Sequence, residues 1–305
     1  MTEPELNIIT GAFSYTGRYI TERLLAQGKR VRTLTGHPDR PNPFAGRVEI
    51  MPFNFDNPPA LVDSLRGATT LFNTYWVRFS HGDRTFAEAV ADTKTLIRAA
   101  EEAGVRRIVH VSITNADEES PLPYFRGKGV LERAIAESKL SYTIIRPTVI
   151  FGKEDILINN IAWLLRRFPV FAVLGSGDYR LQPVYVEDMA DMAVAAAERS
   201  GNEVFEAVGP DSFTFDALVR LIREKIGSRA RIVHLPPGPA LHLSRIVGLL
   251  VGDVVLTQDE VDGLMAGLLV SEAPPTGCTR LSDWLEENAS AVGSRYASEL
   301  QRHYR

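Results

Sequence analysis

Ile8-Ile9-Thr10-Gly11-Ala12-Phe13-Ser14-Tyr15-Thr16-Gly17-Arg18-Tyr19-Ile20 reads as strand, turn and helix within thirteen residues. An apolar run ends at Ile9. A glycine turn follows. A helical pattern then begins near Tyr15, with Ile20, Leu24 and Leu25 on one side and Gly28 closing it. Gly11 lets the backbone turn sharply and approach a ligand. The helix start aims free N–H groups and a positive dipole end at that turn, which suits a pyrophosphate. The spacing is G-x-x-S-x-x-G, with Ser14 where a middle glycine would stand. Gly11, Phe13, Ser14, Tyr15, Thr16, Gly17 and Arg18 are therefore the candidate phosphate-loop residues. A glycine pattern alone is weak, but its place between first strand and first helix is the context that gives it meaning.

Further along, strand-like runs alternate with helical ones. Arg30–Thr35, Val48–Pro52, Thr69–Tyr75 and Arg107–Thr114 read as strands two to five. Between them lie helical patterns at 57–66 and 85–103, stopped by Gly67 and Gly104. Such alternation predicts an α/β, Rossmann-type doubly wound parallel sheet. The expected dinucleotide-binding domain covers 1–150 plus about 181–208. A smaller α/β substrate or lid region takes 151–180 and 209–305.

The tip of the second strand bears on cofactor choice. An acid there would accept bonds from a ribose 2′-OH. This chain has Thr35-Gly36-His37-Pro38-Asp39-Arg40, with no acid at the tip and Arg18, Arg32, His37 and Arg40 nearby in sequence. Thr35, His37 and Arg40 are the candidate contacts, and NADP(H) is expected over NAD(H). Asp56, after the third strand, is placed either to read an adenine edge or to cap the next helix. Tyr75, Trp76 and Phe79 follow the fourth strand, at the rim where ligands enter open α/β sheets. They either wall a substrate pocket or cover the sheet end.

Tyr124 and Lys128 stand at i and i+4 on one helical face, just after the fifth strand. A phenol titrates near pH ~10. A neighbouring ammonium lowers that value and makes the phenol a usable acid–base group at a carbonyl or alcohol. Thr114, at the strand end, is placed to offer a hydroxyl to the same oxygen.

The glycine loop, His110-Val111-Ser112, the Tyr124/Lys128 pair, Ile144-Ile145-Arg146-Pro147 with Ile150-Phe151-Gly152, and Gln182–Asp188 together resemble the extended and atypical short-chain dehydrogenase/reductases. Within them the chain is most similar to the branch containing the accessory NADPH-binding subunit of mitochondrial complex I and its bacterial relatives. The resemblance covers about residues 6 to 208. It implies a pyrophosphate loop at Gly11, Ser14 and Gly17, an adenine contact at Asp56, Tyr124 as acid–base residue and Lys128 on the nicotinamide ribose. It puts the catalytic Ser/Thr at Thr114, with Ser112 as second choice. Three departures stand out: Ser14 for glycine, Ala91 where many relatives keep an asparagine of the catalytic tetrad, and a short loop from Thr114 to Tyr124. The implied activity is hydride transfer between nicotinamide and a carbonyl or alcohol substrate. The alternatives are a non-catalytic cofactor-binding structural, assembly or redox-sensing protein, and a nucleotide-sugar epimerase or dehydratase.

Composition narrows the rest. The 305 residues carry a net charge of −4, which offers no nucleic-acid footprint. A single cysteine, Cys278, rules out an internal disulfide and fits a reducing compartment. Met1–Glu5 does not read as a leader, and no apolar run is long enough to span a membrane; a cytoplasmic protein is expected. The six histidines show no metal-ligand spacing, so no metal is expected. The expected partner is a small-molecule substrate, and the oligomeric state stays open. Ala240–Leu256, the most apolar stretch, is expected to be a packed lid helix rather than a membrane-docking one, because cations are sparse.

Overall fold

The computed structural model describes residues 4–303, without the side chain of His303. Met1–Glu3, which bear on the leader reading, lie outside the described residues, as does that side chain. Helices and strands run β1 (Leu6–Thr10), α1 (Tyr15–Ala26), β2 (Arg30–Thr35), β3 (Val48–Pro52), α2 (Pro58–Leu65), β4 (Ala68–Asn73), α3 (Phe86–Ala103) and β5 (Arg107–Val111). Then come α4 (Pro123–Ala136), β6 (Ser141–Pro147), β7 (Val149–Phe151), α5 (Leu157–Arg167), β8 (Val170–Leu174), β9 (Arg180–Leu181), β10 (Pro183–Tyr185) and α6 (Val186–Ala197). The remainder is β11 (Glu203–Ala207), β12 (Phe213–Thr214), α7 (Phe215–Lys225), β13 (Arg231–Leu235), α8 (Pro237–Val251), α9 (Gln258–Met265), α10 (Leu281–Asn288) and α11 (Glu299–His303).

Two compact units result. One comprises Met1–Pro147 and Met189–Glu206, the other Thr148–Asp188 and Ala207–Arg305. The first is built on a seven-stranded sheet in the order β11-β6-β5-β4-β1-β2-β3. The pairs β1–β2, β1–β4, β2–β3, β4–β5 and β5–β6 are all parallel. The order reverses at β1, whose neighbours are β2 and β4, and ligands bind at such a switch point beyond the carboxyl ends of the strands. The expected Rossmann-type α/β fold is what forms. Strand residues here are apolar on both faces because helices cover both. Ile8, Leu34, Leu71 and Ile108 join Leu61, Leu65, Leu96 and Ile97 from α2 and α3 in one buried cluster. The helix ends follow local chemistry. Thr85 and Glu88 form a capping box at the start of α3, and Gly104 closes it in the left-handed region at φ 77°. Asn57 caps α2, with Pro58 as its first residue.

The second unit holds three two-stranded sheets, β10–β7, β12–β9 and β13–β8. Placing about 181–208 in the dinucleotide-binding domain puts Val184–Val186 on the main sheet. Instead Pro183–Tyr185 pairs in parallel with Val149–Phe151, and Val186 already begins α6. Gly209 permits a close backbone approach there, since a Cβ on it would lie 1.8 Å from the Pro183 carbonyl oxygen, and Gln182 Nε2 ties the segments by donating to the Gly209 carbonyl at 2.9 Å. The core of this unit gathers Phe151, Ile161, Leu218, Trp284 and Leu285. Trp284, Leu285 and Leu300 of the tail are buried packing residues, as their helical spacing suggests.

Candidate functional site

The loop between β1 and α1 is closed on itself. Gly11 has φ 74°, a conformation that glycine adopts without strain. Its N–H donates to the Leu34 carbonyl at 2.8 Å, and its own carbonyl accepts from the Ser14 N–H at 2.9 Å. Ala12 N–H donates to Thr33 Oγ1 at 2.9 Å. A Cβ on Gly17 would sit 2.2 Å from the Gly11 carbonyl oxygen, so only glycine lets α1 approach β1 this closely. Ser14 is the N-cap residue of α1, but its hydroxyl does not cap the helix. It donates back to the Gly11 carbonyl at 2.5 Å. The serine thus braces the turn from inside, and the α1 N-terminus keeps its positive end for an anion. Phe13 packs near Phe44, Tyr15 lies edge-on to Tyr19, and Thr16 is half-buried in the first turn. Arg18 is exposed and pairs with Glu22 at 3.0 Å.

At the tips of β2, β3 and β4 the geometry goes beyond what the sequence suggested. Thr35 Oγ1 accepts from the His37 N–H at 3.1 Å, and Arg40 N–H closes a turn onto the His37 carbonyl. Arg32 is directed elsewhere: it pairs with Glu49 at 2.9 Å and bonds the Ser64 carbonyl at the end of α2. In its place stands Arg84, whose Nη2 would lie 3.6 Å from a Cβ built on Gly36, with the Phe53 ring at 3.5 Å. Phe53 and Phe55 stack at 4.8 Å between centroids, and Tyr75 leans on both at 5.0 and 5.2 Å. These rings and Arg84 frame the β2 tip. Asp56 is exposed beside them, and Asn57 rather than Asp56 caps the helix.

Tyr75 is fixed by a 2.7 Å bond to Asp92, and burial with that carboxylate drives its phenol far above the usual range. Phe79 is buried. Trp76 stacks on Phe86 at 5.9 Å and meets the Tyr124 ring edge-on at 5.7 Å. A Cβ on Gly127 would come within 2.7 Å of the Trp76 ring. Of the three rim aromatics, Phe79 is packing, Tyr75 is anchored, and Trp76 joins the α4 constellation.

That constellation centres on Lys128. It is buried, its Nζ donates to the Val111 carbonyl at the end of β5 at 2.8 Å, and it sits 4.6 Å from the Trp76 ring centroid. Burial, offset in part by Glu132, pushes the amine down to about 7. The lysine therefore stands near half-protonation at neutral pH, rather than as the permanent ammonium that sequence reasoning assumed. Behind it runs a buried polar chain. Thr10 Oγ1 donates to Asn73 Oδ1 at 3.0 Å, and Asn73 Nδ2 meets His110 Nδ1 at 3.0 Å. That pattern makes Nδ1 an acceptor and leaves the His110 proton on Nε2, a buried atom with no partner among the described residues. Burial first, and then Lys128, hold His110 well below the usual histidine range, so it stays neutral.

The two candidate hydroxyls each face a carboxylate. Ser112 Oγ donates to Glu132 at 2.5 Å, and Thr114 meets Glu206. Arg146 links the acids, lying 2.5 Å from Glu132 and 3.7 Å from Glu206. Burial raises the Glu206 carboxyl despite that arginine. Glu132 and Glu206 carried no signal in sequence, and Arg146 entered only as part of the Ile144–Pro147 stretch, because the three converge from α4, β6 and β11. Ala91 proves to be exposed on α3. The side chain that α3 turns inward two residues later is Thr93, a buried hydroxyl without a partner among the described residues. The same residues contain no group of three or more His, Cys, Asp or Glu placed to hold a metal.

Comparison with known proteins bears on the family and the fold. A model of the NAD(P)H-binding family matches residues 11–158. The chain is 27% identical to the mitochondrial NADH dehydrogenase (ubiquinone) 1 alpha subcomplex subunit 9 of Arabidopsis thaliana, over 87% of this chain and 70% of that protein. It is 30% identical to a ceramide reductase of Caulobacter vibrioides, over 75% of this chain and 74% of that protein. Among solved structures, the triphenylmethane reductase of Citrobacter sp. complexed with NADP(H) superimposes with a TM-score of 0.73 at 18% identity, covering 93% of this chain and 99% of that one.

Proposed function

The chain belongs to the NAD(P)-binding, epimerase/dehydratase-like short-chain dehydrogenase/reductases, and from that premise we propose that it is an NADP(H)-dependent oxidoreductase acting on a carbonyl or alcohol. The residues fit a dinucleotide. The Gly11–Gly17 cradle, which a Cβ at Gly17 would fill, presents the α1 N-terminus to the phosphates. Phe53, Phe55 and Gly36 offer apolar surface at the adenosine end, with Asp56 at its edge. Arg84 and Arg40 supply cations for a 2′-phosphate. When bound, the nicotinamide supplies or accepts the hydride.

This chain's own residues handle the proton. Tyr124 gives it to, or takes it from, the substrate oxygen. Lys128, anchored on the Val111 carbonyl, holds the nicotinamide ribose beside Tyr124. Thr114 bonds the same oxygen, with its hydroxyl oriented by Glu206. The observation that carries the proposal is Lys128 itself. A buried lysine tied to the fifth strand, four residues after Tyr124, is costly for stability and suited to catalysis. A cytoplasmic site of action stays part of this proposal; the Arabidopsis relative is mitochondrial by name. Fractionation of the native host addresses it.

A second reading is a cofactor-binding protein without turnover, as a subunit of a larger assembly. It is favoured by Ser112 and Thr114 both facing carboxylates. Calorimetric titration with NADPH, NADH, NADP⁺ and NAD⁺, followed by a carbonyl screen, separates the two. The oxidoreductase reading expects NADPH to bind most tightly and Tyr124→Phe to lose turnover at unchanged NADPH affinity. Tight NADPH binding with no turnover by wild type leaves the second reading. No binding of any nucleotide refutes both.

A further inference from the structure

We propose that the outer face of α8 is a lipid-docking surface that seats the second unit on a bilayer. Helices of water-facing proteins are apolar on the buried side and polar on the other. α8 is apolar on both. Its inner side packs through Ala240 and Leu241 against Leu174 and Val261. Its outer side carries Leu243, Ile246, Leu249 and Leu250, exposed by 43%, 57%, 85% and 73%. With His242 these positions share one arc of roughly 120°. The expected packed lid helix is thus only half packed.

The helix is held in this pose. A Cβ on Gly248 would lie 2.7 Å from the Asp253 carbonyl oxygen, so the backbone approach is close. Gly252 ends the helix at φ 64°, and the Asp253 carboxylate accepts the N–H groups of Glu299 and Leu300 at 2.9 and 3.2 Å. Leu249 and Leu250 therefore project from a fixed helix end.

Area and charge choose the occupant. Four side chains offer on the order of 500 Å², below the ~800 Å² per partner of a stable protein interface. A bilayer has no such threshold, because each inserted side chain contributes separately. From Pro236 to Gly252 the chain has no acid and one arginine, Arg245, although the whole protein carries −4. An acid-free, apolar arc edged by a cation suits an acyl–headgroup boundary. The few cations mean that apolar insertion, not charge, supplies most of the binding.

Flotation of the full-length protein tests this with phosphatidylcholine vesicles and with three-to-one phosphatidylcholine–phosphatidylglycerol vesicles. Wild type is expected to float with both. The double variant Leu249→Glu and Leu250→Glu is expected to lose at least ~10-fold in vesicle partitioning while keeping its melting temperature and NADPH affinity. Arg245→Gln is expected to lower binding only to the anionic vesicles. Wild type remaining at the bottom of both gradients overturns the proposal, as does equal flotation of the double variant. Concentration-dependent dimers that the double variant abolishes would, without flotation, assign the face to a second copy and overturn it too.

Discussion

Replacing Lys128 with methionine should make the protein more stable and less able to bind cofactor. Its amine is pushed down to about 7 by burial, from an unfolded value of 10.5. At neutral pH that difference costs ~4 kcal/mol, because the unfolded chain holds a proton that the folded chain holds only half the time. Methionine removes this cost. It also leaves the Val111 carbonyl unmet, at ~1–3 kcal/mol. The expected net gain at pH ~7 is on the order of 1–3 kcal/mol, or several degrees in melting temperature. The sign with pH is fixed. The folded pKa is depressed, so wild type gains stability as pH rises from about 7 towards 10.5, by ~1.4 kcal/mol per unit for one proton. The methionine variant lacks that slope, so its advantage shrinks with pH. Urea unfolding at pH ~7, ~8 and ~9 measures the gap. A gap that stays constant across this range would refute a near-neutral buried lysine, and a variant less stable at every pH would show that the Val111 bond outweighs the burial.

Three other outcomes are expected. Gly17→Ala drives a Cβ into the Gly11 carbonyl, so calorimetry should find NADPH binding lost and melting a few degrees lower; unaltered binding would mean that the loop is not the phosphate site. Arg84→Gln should weaken NADPH by about tenfold, equivalent to ~1.4 kcal/mol, and leave NADH unchanged; equal losses for both would remove Arg84 from the 2′-phosphate. Arg107 is buried and donates to the carbonyls of Ala196 and Gly201 and to the hydroxyl of Thr143. Arg107→Leu leaves those acceptors unmet and should cost several kcal/mol in urea titrations, and a loss under ~1 kcal/mol would contradict a structural role for the arginine.

The fold was legible because its signals are local. Gly11 and Gly17, the strand–helix alternation and the Tyr124–Lys128 spacing each lie within one element and its turn. The parts of the site that escaped are those made by convergence. Arg84 reaches Gly36 across 48 positions, and Glu206 reaches Thr114 across 92, a distance no periodicity encodes. The same holds for charge state. A sequence shows that residue 128 is lysine, but its burial beside the Val111 carbonyl and the Trp76 ring decides how that lysine titrates. Ala91 is a related case: the resemblance implied a tetrad position there, and the structure shows Ala91 exposed on α3 with Thr93 buried two residues on.

The first unit is discontinuous, which affects how it is made. The residues up to Pro147 supply six strands, but the seventh, Glu203–Ala207, arrives only after the excursion from Thr148 to Asp188. During synthesis β6 emerges as an open sheet edge, and Arg107 waits for the carbonyls of Ala196 and Gly201. A nascent chain halted near residue 150 should therefore be protease-sensitive and attractive to chaperones, and one halted well beyond 207 should resist cleavage. The glycine loop after β1 is translated well before β11, so the sheet that steadies it keeps an open edge until Glu203–Ala207 follows.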